Sequence, residues 1–442
     1  MQLYAHQENG LERTKDQNRV AFYWEMGTGK TYVGAEKMNQ LGANVNLVIC
    51  QKSKIDDWYE HFDTHYENDS FWVKDLSKKI EYETFFEDVD DAQHGCGTVV
   101  GIINYDLVWR RPDLLNLRDF TLMLDESSLI QNERSKRSKF ILKMKPKNVI
   151  LLSGTPTGGK YEKLWSQMHL LGWNITKTMY WRQYVNVTYL DTVGRSVPIV
   201  TGYKNVDRLK RKMREHGCDF LTTESVFDMP KQNFIDIKIS ETKKYREFKR
   251  NRIVRIEQDP YITPHGSKYY NHDIELVGDT TLKRLLYERE LCSIYCKEKF
   301  KALKDLIQST DDRLIIFYNF KDELAQIQKL LVECDKIHIS VVNGSVKSLG
   351  AYERHEDSVT LIQYQAGAMG LNLQLANKII YFSPPLSSEL YEQSKKRVHR
   401  LNQTRPCFYY LLKCGIENKI YKTLEKRKDY TEKLYEIDEK EN

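Results

Sequence analysis

Residues Met26-Gly27-Thr28-Gly29-Lys30-Thr31 are the stretch best suited to chemistry. They follow the apolar, aromatic run Val20-Ala21-Phe22-Tyr23-Trp24, which predicts a buried strand, and a helical pattern begins behind them. A glycine turn between a strand and a helix N-terminus gathers unpaired backbone N–H groups around one point, and that point favours phosphate. Met26, Gly27, Thr28 and Gly29 would form the cradle, Lys30 would add a cation for the β/γ-phosphates, and Thr31 a hydroxyl for Mg²⁺. Trp24 stands where the longest form of this pattern has its first glycine. A glycine-rich turn with a chance Lys-Thr is the plain alternative; the flanking strand and helix weigh against it.

A carboxylate pair supplies the complementary chemistry. Thr121-Leu122-Met123-Leu124 is an apolar run of strand length ending in Asp125-Glu126. Asp125 at a strand's C-terminal end can hold Mg²⁺ through water, and Glu126 can orient and deprotonate the water that attacks a γ-phosphate. A lone Asp-Glu is usually a solvated loop. Behind an apolar run, in a chain with a phosphate loop, it predicts nucleotide hydrolysis.

The elements that must position these groups form two α/β series. The strands Asn46–Cys50, Thr98–Ile103, Leu122–Leu124 and Asn148–Leu152 alternate with helical patterns in the first half. Such alternation predicts a parallel sheet with helices on both faces and a ligand at the C-terminal strand ends. From about Trp173 to Phe300 the rhythm is lost, and the composition predicts a mostly helical section with turns near Thr192-Val193-Gly194 and Pro260 to Gly266. A second series follows at Arg313–Tyr318, Lys336–Val341, Val359–Ile362 and Lys378–Phe382, with no phosphate loop of its own. The expected division is 1–172, 173–300, 301–415 and a charged C-terminal helix over 416–442, in which Leu424, Leu434 and Tyr435 supply apolar positions. Two sheet domains with one phosphate loop suggest a nucleotide held between them.

The 442 residues exceed one ordinary core, and 40% hydrophobic with 29% charged residues is the balance of a soluble globular chain. No apolar run reaches the roughly eighteen residues of a membrane span, and no signal segment opens the chain, so a cytoplasmic location with no membrane partner is expected. The eight cysteines contain no C-x-x-C; Cys292 and Cys296 share a helical face without a second ligand pair, so buried thiols are expected rather than zinc. Net charge is only +6, but two basic clusters stand out: Arg134 to Lys147, and Lys204, Arg208, Lys210, Arg211, Lys212 and Arg214. Each reads as a solvated helix face or as a phosphate-backbone track.

Further motifs follow in order: Ser153-Gly154-Thr155-Pro156 with Leu164-Trp165, then Gln393…Arg397-Val398-His399-Arg400…Gln403. With the phosphate loop, the acid pair and Trp58 after Gln51-Lys52-Ser53, these resemble the superfamily 2 helicases, and within them the Snf2-like ATPases, from about Leu3 to Leu412. The resemblance implies two RecA-like parallel-sheet lobes of P-loop NTPase type, with helical insertions between them. It gives Gln7 the recognition of adenine, Lys30 and Thr31 the phosphates and Mg²⁺, and Asp125 and Glu126 the metal and the water. Ser153 and Thr155 match the motif that couples hydrolysis to DNA contact. Gly370 and Asn372 match a second-lobe motif beside nucleotide and DNA, and Arg397 and Arg400 match arginines that reach the γ-phosphate. If those two arginines share a helix, their i,i+3 spacing puts them on one face; a basic surface helix is the competing reading. Motif position further implies DNA contacts at Lys52, Ser53, Asn104, Tyr105, Asn319, Gly344, Ser345 and Gln365.

The chain departs from the family pattern at Ser127-Ser128, where Ala-His is usual, at Gln363-Tyr364-Gln365 in place of Ser-Thr-Arg, and at Lys396. The first departure puts any coupling role of that histidine in doubt. The resemblance implies an ATP- and Mg²⁺-using, DNA-dependent ATPase that translocates on double-stranded DNA and remodels protein–DNA complexes or DNA structure. A monomer on DNA is expected, with other DNA-metabolism proteins as candidate partners. Two rivals stay open: a strand-separating helicase on DNA or RNA, and a nucleotide-gated DNA-binding protein with slow turnover.

Overall fold

Apolar runs buried on both faces become the central strands of parallel sheets, since helices must then cover both sides. The computed structural model describes residues 2–66, 71–157, 160–192, 195–257, 261–262, 268–269, 273–367, 371–400, 402–426 and 429. The chain divides into two units, Met1–Asp228 and Met229–Asn442.

In the first unit the strands are β1 (Arg19–Trp24), β2 (Val45–Cys50), β3 (Phe71–Asp75), β4 (Thr98–Asn104), β5 (Thr121–Asp125), β6 (Asn148–Leu152), β7 (Val185–Thr192), β8 (Arg195–Tyr203) and β9 (Cys218–Leu221). Seven of them form one sheet in the order β3-β4-β2-β5-β6-β1-β9, every pair parallel. β7 and β8 form a separate antiparallel hairpin. Strands β2 and β6 are buried throughout, as fully covered central strands must be. Helix Lys30–Leu41 lies close on the sheet because Gly34 carries no side chain: a Cβ there would sit 2.8 Å from Leu152 and 3.2 Å from the Met123 sulfur. All seven tryptophans belong to this unit.

The second unit contains β10 (Gln232–Ile239), two short antiparallel pairs, β11 (Ile253–Ile256) with β14 (Ile274–Val277) and β12 (Tyr261–Ile262) with β13 (Lys268–Tyr269), then β15 (Leu314–Tyr318), β16 (Ile339–Val342), β17 (Lys347–Ser348), β18 (Val359–Gln363), β19 (Lys378–Tyr381) and β20 (Cys407–Cys414). Its sheet runs β10-β20-β19-β15-β18-β16-β17, parallel except for β16 with β17. Its core is built on tyrosine: Tyr364, Tyr381, Tyr391, Tyr409 and Tyr421 are buried, and the Tyr364, Tyr381 and Tyr409 rings lie nearly parallel. A buried ion pair crosses it, with Lys299 Nζ 2.6 Å from both carboxylate oxygens of Glu417. Burial dominates there and pushes the Glu417 carboxyl up to about 7 despite the ammonium beside it.

The section from Trp173 to Phe300 is not mostly helical. It holds the β7–β8 hairpin and contributes an edge strand to each sheet, β9 beside β1 and β10 beside β20. β9 is only four residues long, and it is fixed by Asp219, whose carboxylate accepts from Trp24 Nε1 at 2.7 Å and from Arg13 at 2.7 and 2.8 Å. β10 alternates polar and apolar residues at a half-exposed edge, which gives it no continuous apolar signal. The C-terminal helix spans Glu417–Glu425 with Leu424 buried; Val193, Gly194, Leu434 and Tyr435 lie outside the described residues, as does most of 260–266.

Candidate functional site

The chemistry-bearing loops of the first unit leave three adjacent parallel strands. β6 lies between β1 and β5, so the phosphate loop after Trp24, Ser153–Pro156 after Leu152 and the acid pair at Asp125 all emerge from one edge of the sheet. That edge is the carboxyl end, where open α/β sheets take their ligands.

Gly27 and Gly29 carry φ of 85° and 76°, left-handed values that cost a side-chain-bearing residue dear. Gly29 has a second reason: a Cβ would fall 2.2 Å from Gln7 Nε2. Gln7 is buried against the loop, donating to the Gly29 carbonyl at 3.2 Å and accepting from the Tyr4 N–H at 2.8 Å. His6 donates from Nε2 to the Thr28 carbonyl at 2.9 Å. The loop is held from the other side by Thr223, whose N–H donates to Glu25 Oε2 and whose hydroxyl donates to the Met26 carbonyl, each at 3.0 Å. Lys30 Nζ donates to the Glu25 carbonyl at 3.1 Å, and Thr31 is half-buried at the first turn of its helix.

Trp58, 67 positions away in sequence, donates its indole N–H to Asp125 Oδ2 at 3.0 Å. Burial pushes the Asp125 carboxyl above its ordinary value, while the Trp58 hydrogen bond and the charges of Lys30 and Lys54 hold it down. Glu126 stands at φ 54°, an uncommon conformation for a residue with a side chain, and opens a short 3₁₀ turn over Ser127–Ile130. The Tyr105 hydroxyl secures that bend by donating to the Asp125 carbonyl at 2.9 Å.

Gln167 ties the acid turn to the next motif. Its Oε1 accepts from the Ser127 hydroxyl at 2.8 Å and from the Tyr23 hydroxyl at 3.0 Å, and its Nε2 donates to the Pro156 carbonyl at 2.8 Å. All three side chains are buried. One carboxamide thus joins β1, the turn after Glu126 and the Ser153–Pro156 loop. Gln131 adds a second donor to Pro156 at 3.2 Å. Within that loop Ser153 is buried and its hydroxyl accepts from the Thr155 N–H at 3.2 Å. Sequence reasoning singled out neither Gln167 nor the role of Trp58. The available signal was a glutamine between Ser166 and Met168 on an otherwise apolar helical face.

Lys52 and Ser53 are exposed in a short turn after β2. Asn104 and Tyr105 turn inward instead. Asn104 Oδ1 accepts from the N–H groups of Asp106 and Leu107, and Tyr105 is buried under the acid turn. A nucleic-acid contact through these two side chains is therefore replaced by a structural role; only backbone groups of the segment could reach a strand.

In the second unit helix Ser388–Lys395 ends before the two arginines, so the condition of a shared helix is not met, and Arg397 and Arg400 lie in the turn behind it. They still converge: Arg397 Nη1 and Arg400 Nη1 donate to the same Leu371 carbonyl, at 3.5 and 3.2 Å, and Arg400 also bonds Asn372 Oδ1. Burial lowers the Arg400 guanidinium from its ordinary value without threatening its charge. Gln403 clamps the segment, donating to the carbonyls of Gln374 and Ala376 at 3.1 and 2.8 Å. Gly370 lies outside the described residues.

The remaining candidates fall at the carboxyl ends of β15, β16 and β18. Asn319 spends its amide hydrogens on Ser383 Oγ at 2.8 Å and the Pro384 carbonyl at 3.0 Å, which makes it a clamp between strand ends. Gly344 and Ser345 are exposed in a turn closed by Asn343 Oδ1, and Gln365 is exposed.

Thr31 and Asp125 offer oxygen ligands of the kind a hard divalent cation such as Mg²⁺ takes, and the under-solvated Asp125 carboxylate favours such a charge. His338, His355 and Asp357 bring three ligand-type atoms within 4.8 Å. There the imidazoles stack face to face, centroids 3.5 Å apart and planes 6° from parallel. The in-plane lone pairs of the two rings therefore lie in separate, nearly parallel planes, which a single metal ion does not satisfy, and His338 Nδ1 is paired with Asp357 at 2.8 Å. Cys292 and Cys296 are buried, as expected. No helix among the described residues is long and apolar enough to cross a membrane.

A parallel sheet presenting a phosphate loop beside an acid pair defines a nucleotide-binding fold of P-loop type, here followed by a second parallel-sheet unit of RecA-like form. The chain belongs to the SNF2-related family: the SNF2-related domain matches residues 7–259, and the helicase conserved C-terminal domain matches 298–402. It is 26% identical to the DNA repair and recombination protein RAD26 of Saccharomyces cerevisiae over 70% of this chain, and spans 31% of that protein's length. It is 23% identical to the uncharacterized ATP-dependent helicase YqhH of Bacillus subtilis, over 83% of this chain and 69% of YqhH. The Sulfolobus solfataricus SWI2/SNF2 ATPase core, solved in complex with dsDNA, aligns with TM-score 0.44 and 18% identity, covering 98% of this chain and 92% of that one.

Proposed function

We propose that this protein is a DNA-stimulated ATPase that couples ATP hydrolysis to translocation on double-stranded DNA. The observation that carries the reading is the grouping of Lys30, Asp125 and the Ser153–Pro156 loop at one sheet edge, with Trp58 and Gln167 holding it. Gln7, Met26, Gly27, Thr28 and Gly29 bind the nucleotide, with Gly370 as a further contact, and Lys30 neutralises the β/γ-phosphates. Thr31 and Asp125 hold Mg²⁺, which when bound offsets charge on the phosphate oxygens. Glu126 orients the attacking water and accepts its proton. Arg397 and Arg400, brought onto one side by the Leu371 carbonyl, supply guanidinium charge to the γ-phosphate; such a group is worth about 10³–10⁵ in rate in related chemistry.

Lys52, Ser53, Thr155, Gly344, Ser345 and Gln365 contact the phosphate backbone, together with backbone groups near Asn104, Tyr105, Asn319 and Ser153, whose own side chain is buried. Backbone gripping implies weak sequence preference and steep salt dependence. The test is the ATP turnover rate with duplex DNA, single-stranded DNA, duplex RNA or no nucleic acid. Duplex DNA should stimulate most, and Glu126→Gln should abolish turnover while nucleotide still binds. Equal stimulation by single strands, or none by duplex, would reject the proposal; strand displacement in a helicase assay would replace translocation by unwinding.

A further inference from the structure

The two basic clusters of the sequence meet in the first unit. Arg134, which opens the first, and Lys204, which opens the second, both line a groove of about 710 Å³ between helix Lys177–Tyr184 and the β7–β8 hairpin. Lys177 and Arg182 line it as well, giving four cations and no carboxylate among the described lining residues. Among the described residues, the acid that pairs with these cations is Glu133, engaged by Lys177 and by Arg134, the latter at 3.7 Å. Arg134 keeps 86% of its side chain exposed.

One further feature points to a ligand. Tyr189, on the hairpin side of the groove, is 61% exposed, a large amphipathic ring left in water among cations. Cations alternating with an open aromatic face is the arrangement that holds nucleic acid, the first taking phosphates and the second a base or sugar. An acidic polypeptide would use the cations but leave the ring without a purpose.

We propose that this groove is a second nucleic-acid site, separate from the motif loops, that grips the phosphate backbone through Arg134, Arg182 and Lys204 with Tyr189 against a base or sugar. It rests on the DNA-dependent reading above and extends it. Arg134 lies three residues from Gln131, which donates to the Pro156 carbonyl.

The experiment compares wild type with Arg182→Ala/Lys204→Ala and with Tyr189→Ala, measuring equilibrium binding to labelled duplex and single-stranded DNA of equal length at several salt concentrations. The double variant should bind about 5- to 30-fold more weakly at moderate salt with an unchanged melting temperature. Its log–log salt slope on duplex should lose about 2 units, since each phosphate contact contributes about 0.9. Tyr189→Ala should weaken single strands more than duplex and leave the slope unchanged. Unchanged affinity and slope in the double variant on both DNA forms would overturn the groove while leaving the DNA reading intact. No DNA binding by wild type would overturn both.

Discussion

Replacing Gln167 with leucine tests the connection between the acid turn and the Ser153–Pro156 loop. The change removes one oxygen that accepts from two buried hydroxyls, Ser127 at 2.8 Å and Tyr23 at 3.0 Å. Each orphaned donor costs about 1–3 kcal/mol, whereas Pro156 keeps Gln131 as a donor. Leucine returns about 1–2 kcal/mol of apolar burial, so the net loss centres on about 2–3 kcal/mol, readable in urea or thermal unfolding. The triple change Tyr23→Phe, Ser127→Ala, Gln167→Leu leaves neither hydroxyl, and stability should recover to within about 1 kcal/mol of wild type. Its tether stays broken, however. Couplings between sites are typically about 1–3 kcal/mol, so the ratio of DNA-stimulated to DNA-free ATP turnover should fall at least about 5-fold. A triple variant with native stability and an undiminished ratio would show that Gln167 only fills space, and the coupling argument would be wrong.

Trp58→Phe removes the donor that holds the Asp125 carboxyl down, so that carboxyl rises further and the acidic limb of the turnover–pH profile should move to higher pH; an unmoved limb would separate Trp58 from Asp125. Gly29→Ala forces a Cβ against Gln7 at φ 76° and should weaken ATP binding at least about 10-fold, measured by titration with a fluorescent nucleotide, while the sheet still folds. Lys299→Met strands Glu417 in the core and should cost about 3–5 kcal/mol in denaturant unfolding, most of it restored by adding Glu417→Leu. With the Glu417 carboxyl raised to about 7 from 4.5, the native state binds the extra proton between those values. That contribution is full below about pH 4.5 and lost as pH rises towards 7, so Glu417→Gln should flatten the fall in melting temperature over that window.

Most of the parallel strands were legible as apolar runs, and the phosphate loop and acid pair because they sit at the ends of such runs; β3, half-exposed at a sheet edge, and β20, whose first half alternates between buried and half-buried, were missed. β9 and β10 escaped for the opposite reason: one has four residues and the other alternates at an edge, so neither carries a buried run. The arginines were found by type and spacing, but their convergence arises from a shared carbonyl at Leu371, not from a helical face. Asn104 and Tyr105 show the limit of motif position, which gives a place along the chain and not the direction of a side chain. Gln167 and Trp58 act through contacts 40 and 67 residues away, and only the folded sheet edge brings those partners into range.

The placement of every indole in the first unit makes the molecule optically lopsided. Red-edge excitation selects tryptophan, so steady-state emission will come from one unit alone while the tyrosine-built second unit stays dark. Among those fluorophores Trp58 is the one bonded to Asp125, and cation loading at that carboxylate will register as a change in its quantum yield. Emission at that band will then report loading in the first unit without a contribution from the second.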